Sequence, residues 1–261
     1  MVHISFTYTC RRYNKQLYNC RIKRYPDGRE NITVFNQKIF NPEKWVLADG
    51  FEDERKIDLQ QYDRQYNENG VRLDNLKRAK EKVFDIAFAN INLWKYMVTF
   101  TLDRMKIDRY DAKEVNKRFT KWLQNSVARK DINYLLVAEP HKDGAIHFHG
   151  LLSDGLNFKF SGLYDENGRQ IFDILDYPFG FARAVPIDKD TETNCCKYIT
   201  KYMTKDFTKI FGKTYWAGGR KLVRECEVIY ENIDFNSFNV DPVKVPNSNR
   251  EVKYILKGVS L

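Results

Sequence analysis

The sequence predicts an α+β protein, and three observations carry that expectation. Two β-rich runs, 134–140 and 144–152, are separated by a turn too short for a helical crossover, so they read as an antiparallel hairpin. Apolar residues recur at helical spacing over 73–90 and again over 111–129. The run from Lys95 to Asp103 is rich in the β-branched and aromatic residues that suit a pleated surface.

Residues 1–70 mix short β-like runs such as Ile32-Thr33-Val34-Phe35 with turn signals at Pro26-Asp27-Gly28 and Asn69-Gly70. The densely charged stretch 49–69 reads as an exposed, mobile connector. In the helix over 73–90, Leu73, Leu76, Val83, Phe84 and Ala87 form the apolar stripe, and Arg72, Lys77, Arg78, Lys80 and Lys82 make the remaining face basic. Ordinary solvation also produces such a face. The strand at 95–103 follows. Asp111 with Glu114 three residues on resembles a capping box, and it opens a helix with Val115, Phe119, Trp122 and Leu123 inward. Tyr134 to Pro140 is the next strand, and the turn His141-Lys142-Asp143-Gly144 leads into the strand carrying His147-Phe148-His149. A Gly- and Asp-rich loop is expected after it, then a strand over 179–187. A helix opened by Asp190-Thr191-Glu192-Thr193 runs to Asp206. Tyr215 to Lys221 reads as a flexible basic turn, with short strands at Val228-Ile229-Tyr230 and Val252 to Leu256.

Side chains two apart on a strand share a face, so His147 and His149 project together while Phe148 points into the core. Paired imidazoles are a partial site for Mn, Fe, Co, Ni or Zn, and one hard ligand would complete it. Hairpin pairing puts the Glu139 carboxylate beside that strand, which makes Glu139 the expected third ligand; a solvent-facing strand glutamate is the alternative. In the helix over 190–206, Cys196, Ile199, Met203 and Phe207 share one face. Tyr198, Lys201, Tyr202 and Lys205 cluster in another arc. A phenol with a pKa of about 10 is a poor nucleophile at neutral pH, and nearby ammonium groups both favour phenolate and bind phosphate.

The charge balance is 44 Lys and Arg against 35 Asp and Glu, a formal +9, which favours a polyanionic partner. No run of 18 apolar residues occurs, so a soluble cytoplasmic protein without a membrane partner is expected. Five cysteines without a CxxC pair exclude a zinc ribbon and point to reduced, structural thiols.

In this order, the Tyr96–Asp103 strand, Glu139, His147-Phe148-His149 and Tyr198-Ile199-Thr200-Lys201-Tyr202-Met203-Thr204-Lys205 resemble the rolling-circle replication initiators of phages and plasmids. These belong to the HUH endonuclease superfamily, and the similarity spans roughly 73–224. The resemblance implies an antiparallel sheet flanked by helices, topologically related to the RNA-recognition fold. It implies Mg²⁺ or Mn²⁺ held by His147, His149 and Glu139, with Tyr198 and Tyr202 as nucleophiles forming a 5′-phosphotyrosine link and a free 3′-hydroxyl. Lys201 and Lys205 become phosphate-binding or pKa-tuning cations, and Lys197, Arg183, Arg220 and Lys221 the basic residues along the DNA. Conjugative relaxases usually carry their tyrosine upstream of the histidines, and the single-tyrosine transposases are much shorter.

The implied organisation is an N-terminal extension over 1–70, a catalytic domain over 71–225, and a C-terminal extension over 226–261 packing on it. No Gly-rich nucleotide loop is present, so no nucleotide cofactor is expected, and unwinding falls to a host helicase working with a host polymerase in a bacterial cytoplasm. The substrate is then single-stranded or hairpin origin DNA. Two other readings fit the same residues: a non-catalytic single-stranded nucleic-acid-binding module whose tyrosines stack on bases, and a metallohydrolase activating water.

Overall fold

The computed structural model describes residues 17–40, 66, 70–140, 143–203, 214–245 and 248–258. In chain order the elements are β1 (Leu17–Arg24), β2 (Glu30–Phe40), α1 (Leu73–Ala89), β3 (Tyr96–Leu102), α2 (Ala112–Lys130), β4 (Tyr134–Pro140), β5 (Ile146–Leu152), β6 (Phe158–Tyr164) and β7 (Gln170–Ile174). They continue with β8 (Gly180–Pro186), α3 (Glu192–Tyr198), β9 (Trp216–Gly218), β10 (Glu227–Glu231), β11 (Val243–Lys244) and β12 (Glu251–Lys257). The architecture is α+β, with two antiparallel sheets.

The chain divides into two units, Arg64–Glu225 and Met1–Asp63 with Cys226–Ser260. In the first, a seven-stranded sheet has the order β6-β7-β8-β3-β5-β4-β9. Alternation decides its two faces. Val98, Phe100 and Leu102 of β3, Phe148 and Leu152 of β5, and Ala182 and Ala184 of β8 are buried on one side. They enclose Val115, Phe119 and Leu123 of α2, with Phe119 stacked on Phe148 at 4.0 Å between ring centroids. The other side carries Thr99, Thr101, His147, His149 and Arg183, cross-strand neighbours in register. Asp111 caps α2, its carboxylate accepting from the Lys113 and Glu114 amides at 2.9 and 3.1 Å. Glu114 itself pairs with Arg118 at 3.6 Å.

Three expectations are corrected here. Residues 158–174 form the β6–β7 hairpin, not a loop: Phe158 and Phe160 face Ile174 and Phe172 across it, and Gly168 (φ 78°) closes the turn. The stretch around Trp216 is a strand paired to β4, not a flexible turn. Gly218 and Gly219 allow that approach, because a Cβ on either would collide with Tyr134 or Asn133. The tyrosine helix is α only to Tyr198 and then tightens into a 3-10 turn, Ile199–Tyr202.

In the second unit a five-stranded sheet of order β10-β1-β2-β12-β11 buries Cys20, Ile22, Ile32 and Val34 against Ile229 and Ile255. The segments expected as separate N- and C-terminal extensions thus share one sheet, β1 pairing with β10 and β2 with β12. The charged stretch expected as a connector lies almost wholly outside the described residues. Among the described residues no helix is long and apolar enough to cross a membrane.

Candidate functional site

The β4–β5 hairpin sets the site's geometry. Its register places Glu139 directly opposite His147, and His149 one row along opposite Val137. The Glu139 carboxylate closes on His149, with Oε2 3.1 Å from Nε2. On the next strand Thr99 is the cross-strand partner of His149, and its Oγ1 lies 3.1 Å from Nδ1.

Burial, reinforced by the neighbouring His147, pushes the His149 pKa down to about 4. Its imidazole is therefore neutral at pH 7, and the contact with Glu139 is a hydrogen bond rather than an ion pair. A neutral ring carries one proton, and a threonine hydroxyl both donates and accepts. When Nε2–H donates to Glu139, Thr99 donates to Nδ1. When Nδ1–H donates to Thr99, the Nε2 lone pair faces the carboxylate, an arrangement that a cation between them satisfies.

The tyrosines come from the other side of the face. The 3-10 turn Ile199–Tyr202 approaches β4 and β5, and α1 lies against this turn and α3. Cys196, Ile199 and Met203 are buried on the anchoring side. Tyr202 is thereby stacked flat on His149, with ring centroids 4.0 Å apart and planes 1° from parallel. Tyr198 meets Tyr202 edge-on at 5.4 Å, and the Lys201 ammonium sits 5.0 Å from the Tyr198 ring centroid. The expected lowering of phenol pKa by ammonium groups does not reach Tyr202. Burial, a hydrogen bond with Tyr198 and the charge of Glu139 raise it instead.

The structure thus gathers Glu139, His147, His149, Tyr198, Tyr202 and Lys201, with Arg183 on the same face two strands from His149. Lys197 is exposed on the last turn of α3. Arg220 and Lys221 lie elsewhere: Arg220 donates to the Ala128 carbonyl at 3.2 Å and Lys221 pairs with Asp131 at 2.9 Å, past the end of β4 opposite to Glu139. Lys205 lies outside the described residues. Sequence reasoning missed Thr99, although its alternation with Val98 and Phe100 puts it on the histidine face.

Two imidazoles and a carboxylate form a donor set that suits a divalent first-row ion, and manganese better than magnesium. As the side chains stand, no group of three or more His, Cys, Asp or Glu among the described residues is disposed to hold a metal ion. Glu139 is engaged with His149 instead. The donor chemistry therefore fits, with a rearrangement of the carboxylate.

Residues 95–207 match the family model for replication-associated proteins of the ORF2 type. That span runs from the start of β3 through the tyrosine turn and so contains every residue gathered at the site. No curated protein and no solved structure matches the chain. The family match supports a replication-initiator role with DNA as the partner.

Proposed function

We infer that this face is the active site of a rolling-circle replication initiator of the HUH type, a metal-dependent endonuclease and strand transferase acting on single-stranded or hairpin origin DNA. The observation that carries the reading is the stacking of Tyr202 on His149, with Tyr198 and Glu139 in contact with the same pair. Local sequence brings none of these tyrosines to the histidine strand; the fold does.

In this reading Glu139, His147 and His149 would hold Mg²⁺ or Mn²⁺, which polarises the scissile phosphodiester. A tyrosine Oη attacks phosphorus and the bond to the 3′-oxygen breaks. The products are a 5′-phosphotyrosine ester and a 3′-hydroxyl that takes up the proton and primes synthesis. Tyr198, 39% exposed, is the more accessible nucleophile for an incoming strand. Tyr202 is packed between His149 and Tyr198 and is suited to the second transfer. Lys201 is placed to bind phosphate next to Tyr198. Unwinding and synthesis fall to host helicase and polymerase.

The test is incubation of the protein with a pool of labelled single-stranded DNA of randomised sequence, with Mn²⁺ or with EDTA. The expected result is a metal-dependent covalent adduct that survives denaturing electrophoresis and maps by mass spectrometry to Tyr198 or Tyr202. Tyr198→Phe/Tyr202→Phe is expected to lose the adduct and keep DNA binding. Binding without any adduct would overturn the catalytic reading in favour of a non-catalytic module. Cleavage without an adduct would favour water activation.

A further inference from the structure

Beside the histidine–tyrosine cluster lies a cavity of about 620 Å³, within the range of sites that enclose a ligand of nucleotide size (about 300–1,000 Å³). Its walls are His149 and Tyr198, Phe181 and Arg183 of β8, and Glu166 and Asn167 at the tip of the β6–β7 hairpin. Phe181 is the unexpected member. It stands on the same sheet face as the histidines, in a cross-strand row running Phe181, Thr101, His147, Glu139. It is nevertheless 56% exposed. Two strand spacings, at about 4.8 Å each, separate it from His147. The Arg183 guanidinium carbon lies 5.9 Å from its ring centroid.

An aromatic face open to a cavity, with a guanidinium beside it, is the chemistry that binds a nucleobase and its phosphate. Phenylalanine has no polar handle, so its ring stacks on any base. Discrimination must come from groups that meet the base edge. A side-chain amide pairs with adenine and a carboxylate accepts from the cytosine amino group, and the hairpin tip offers one of each in Asn167 and Glu166.

We propose that this cavity is a nucleobase subsite for single-stranded DNA. Phe181 stacks the base neighbouring the phosphate engaged by the histidine–tyrosine cluster, Arg183 holds that nucleotide's phosphate, and the β6–β7 tip reads the base edge. The proposal rests on the reading of this face as a single-stranded DNA site. It adds the position at which sequence is discriminated.

Fluorescence anisotropy with fluorescein-labelled (dT)20 and the full chain tests the stacking. Phe181→Ala is expected to weaken binding about tenfold, and Phe181→Trp to stay within about twofold of the parent. Circular dichroism serves as the folding control. A Phe181→Ala protein that binds (dT)20 as the parent does overturns the subsite. Sequencing of strands retained from the randomised pool tests the edge reading. The parent should enrich one base at one position, and Glu166→Ala/Asn167→Ala should flatten that preference with (dT)20 affinity kept. An unchanged preference overturns the role of the hairpin tip. Phe181-dependent binding without any metal-dependent adduct leaves the subsite standing and removes the nuclease reading. Adducts formed equally, and with the same base preference, by parent and Phe181→Ala remove the subsite alone.

Discussion

Thr99 shows how much one hydroxyl decides at this site. His149 is neutral because it is buried beside a second histidine, so the two hydrogen bonds of its ring settle which nitrogen is left for a ligand. Partners of this kind are worth about 10- to 100-fold in metal affinity where they orient a ligating imidazole. Thr99→Val is therefore expected to weaken Mn²⁺ binding by about that factor, and Thr99→Ser to restore it, as read by isothermal titration calorimetry. Equal affinities in both variants would show that Thr99 does not orient the ring. Tyr202, by contrast, gains no acidity from the lysines that follow each tyrosine. Its ring is packed on His149, and burial dominates any charge three residues along the chain.

Among the elements, the β4–β5 hairpin and the β6–β7 hairpin bear most directly on function. A Cβ at Gly150, the residue after His149, would collide with the Leu135 carbonyl oxygen and the Leu136 side chain. These are backbone and core atoms that cannot move aside cheaply. Gly150→Ala is expected to cost about 1–3 kcal/mol of stability and to disturb the Glu139–His147 register, measured by urea denaturation. The base of the β6–β7 hairpin is tied to α2 through Asp176, which pairs with Lys130 at 2.7 Å and accepts from the Asn157 amide at 2.6 Å. Burial works against its ionisation, yet the Lys130 and Asn157 hydrogen bonds hold its carboxyl below the ordinary carboxylate value. A carboxyl whose pKa is lower in the folded state contributes stability above its unfolded value of about 3.9. That contribution disappears as pH falls through the lower, folded value. Asp176→Asn should accordingly lose less stability than the parent between about pH 5 and pH 3. Equal acid sensitivity in thermal melts would assign the acid loss to other carboxyls.

For the whole molecule, a formal charge of +9 makes association with single-stranded DNA salt-sensitive, with a log–log slope of about 0.7 per phosphate neutralised. Arg183→Ala is expected to reduce the slope for (dT)20 by about 0.7, a change that anisotropy titrations across salt concentrations resolve. An unaltered slope would place Arg183 off the phosphate path.

The half of the site formed by the histidine strand was legible in the sequence. Period-two alternation puts His147 and His149 on one face, and the short turn after Pro140 pairs Glu139 with them; both are local constraints acting within about a dozen residues. The helical stripe also showed correctly that Cys196, Ile199 and Met203 anchor the tyrosine segment. The β6–β7 hairpin was missed because its Phe-x-Phe alternation is brief and the Gly- and Asp-rich turn dominated the reading. The delivery of Tyr202 onto His149, the hydrogen bond from Thr99, and the pairing of β1 with β10 across some two hundred residues were decided by tertiary structure alone. Each is a contact between segments far apart in the chain. Its geometry follows from how the sheet faces are covered, and no local periodicity encodes that.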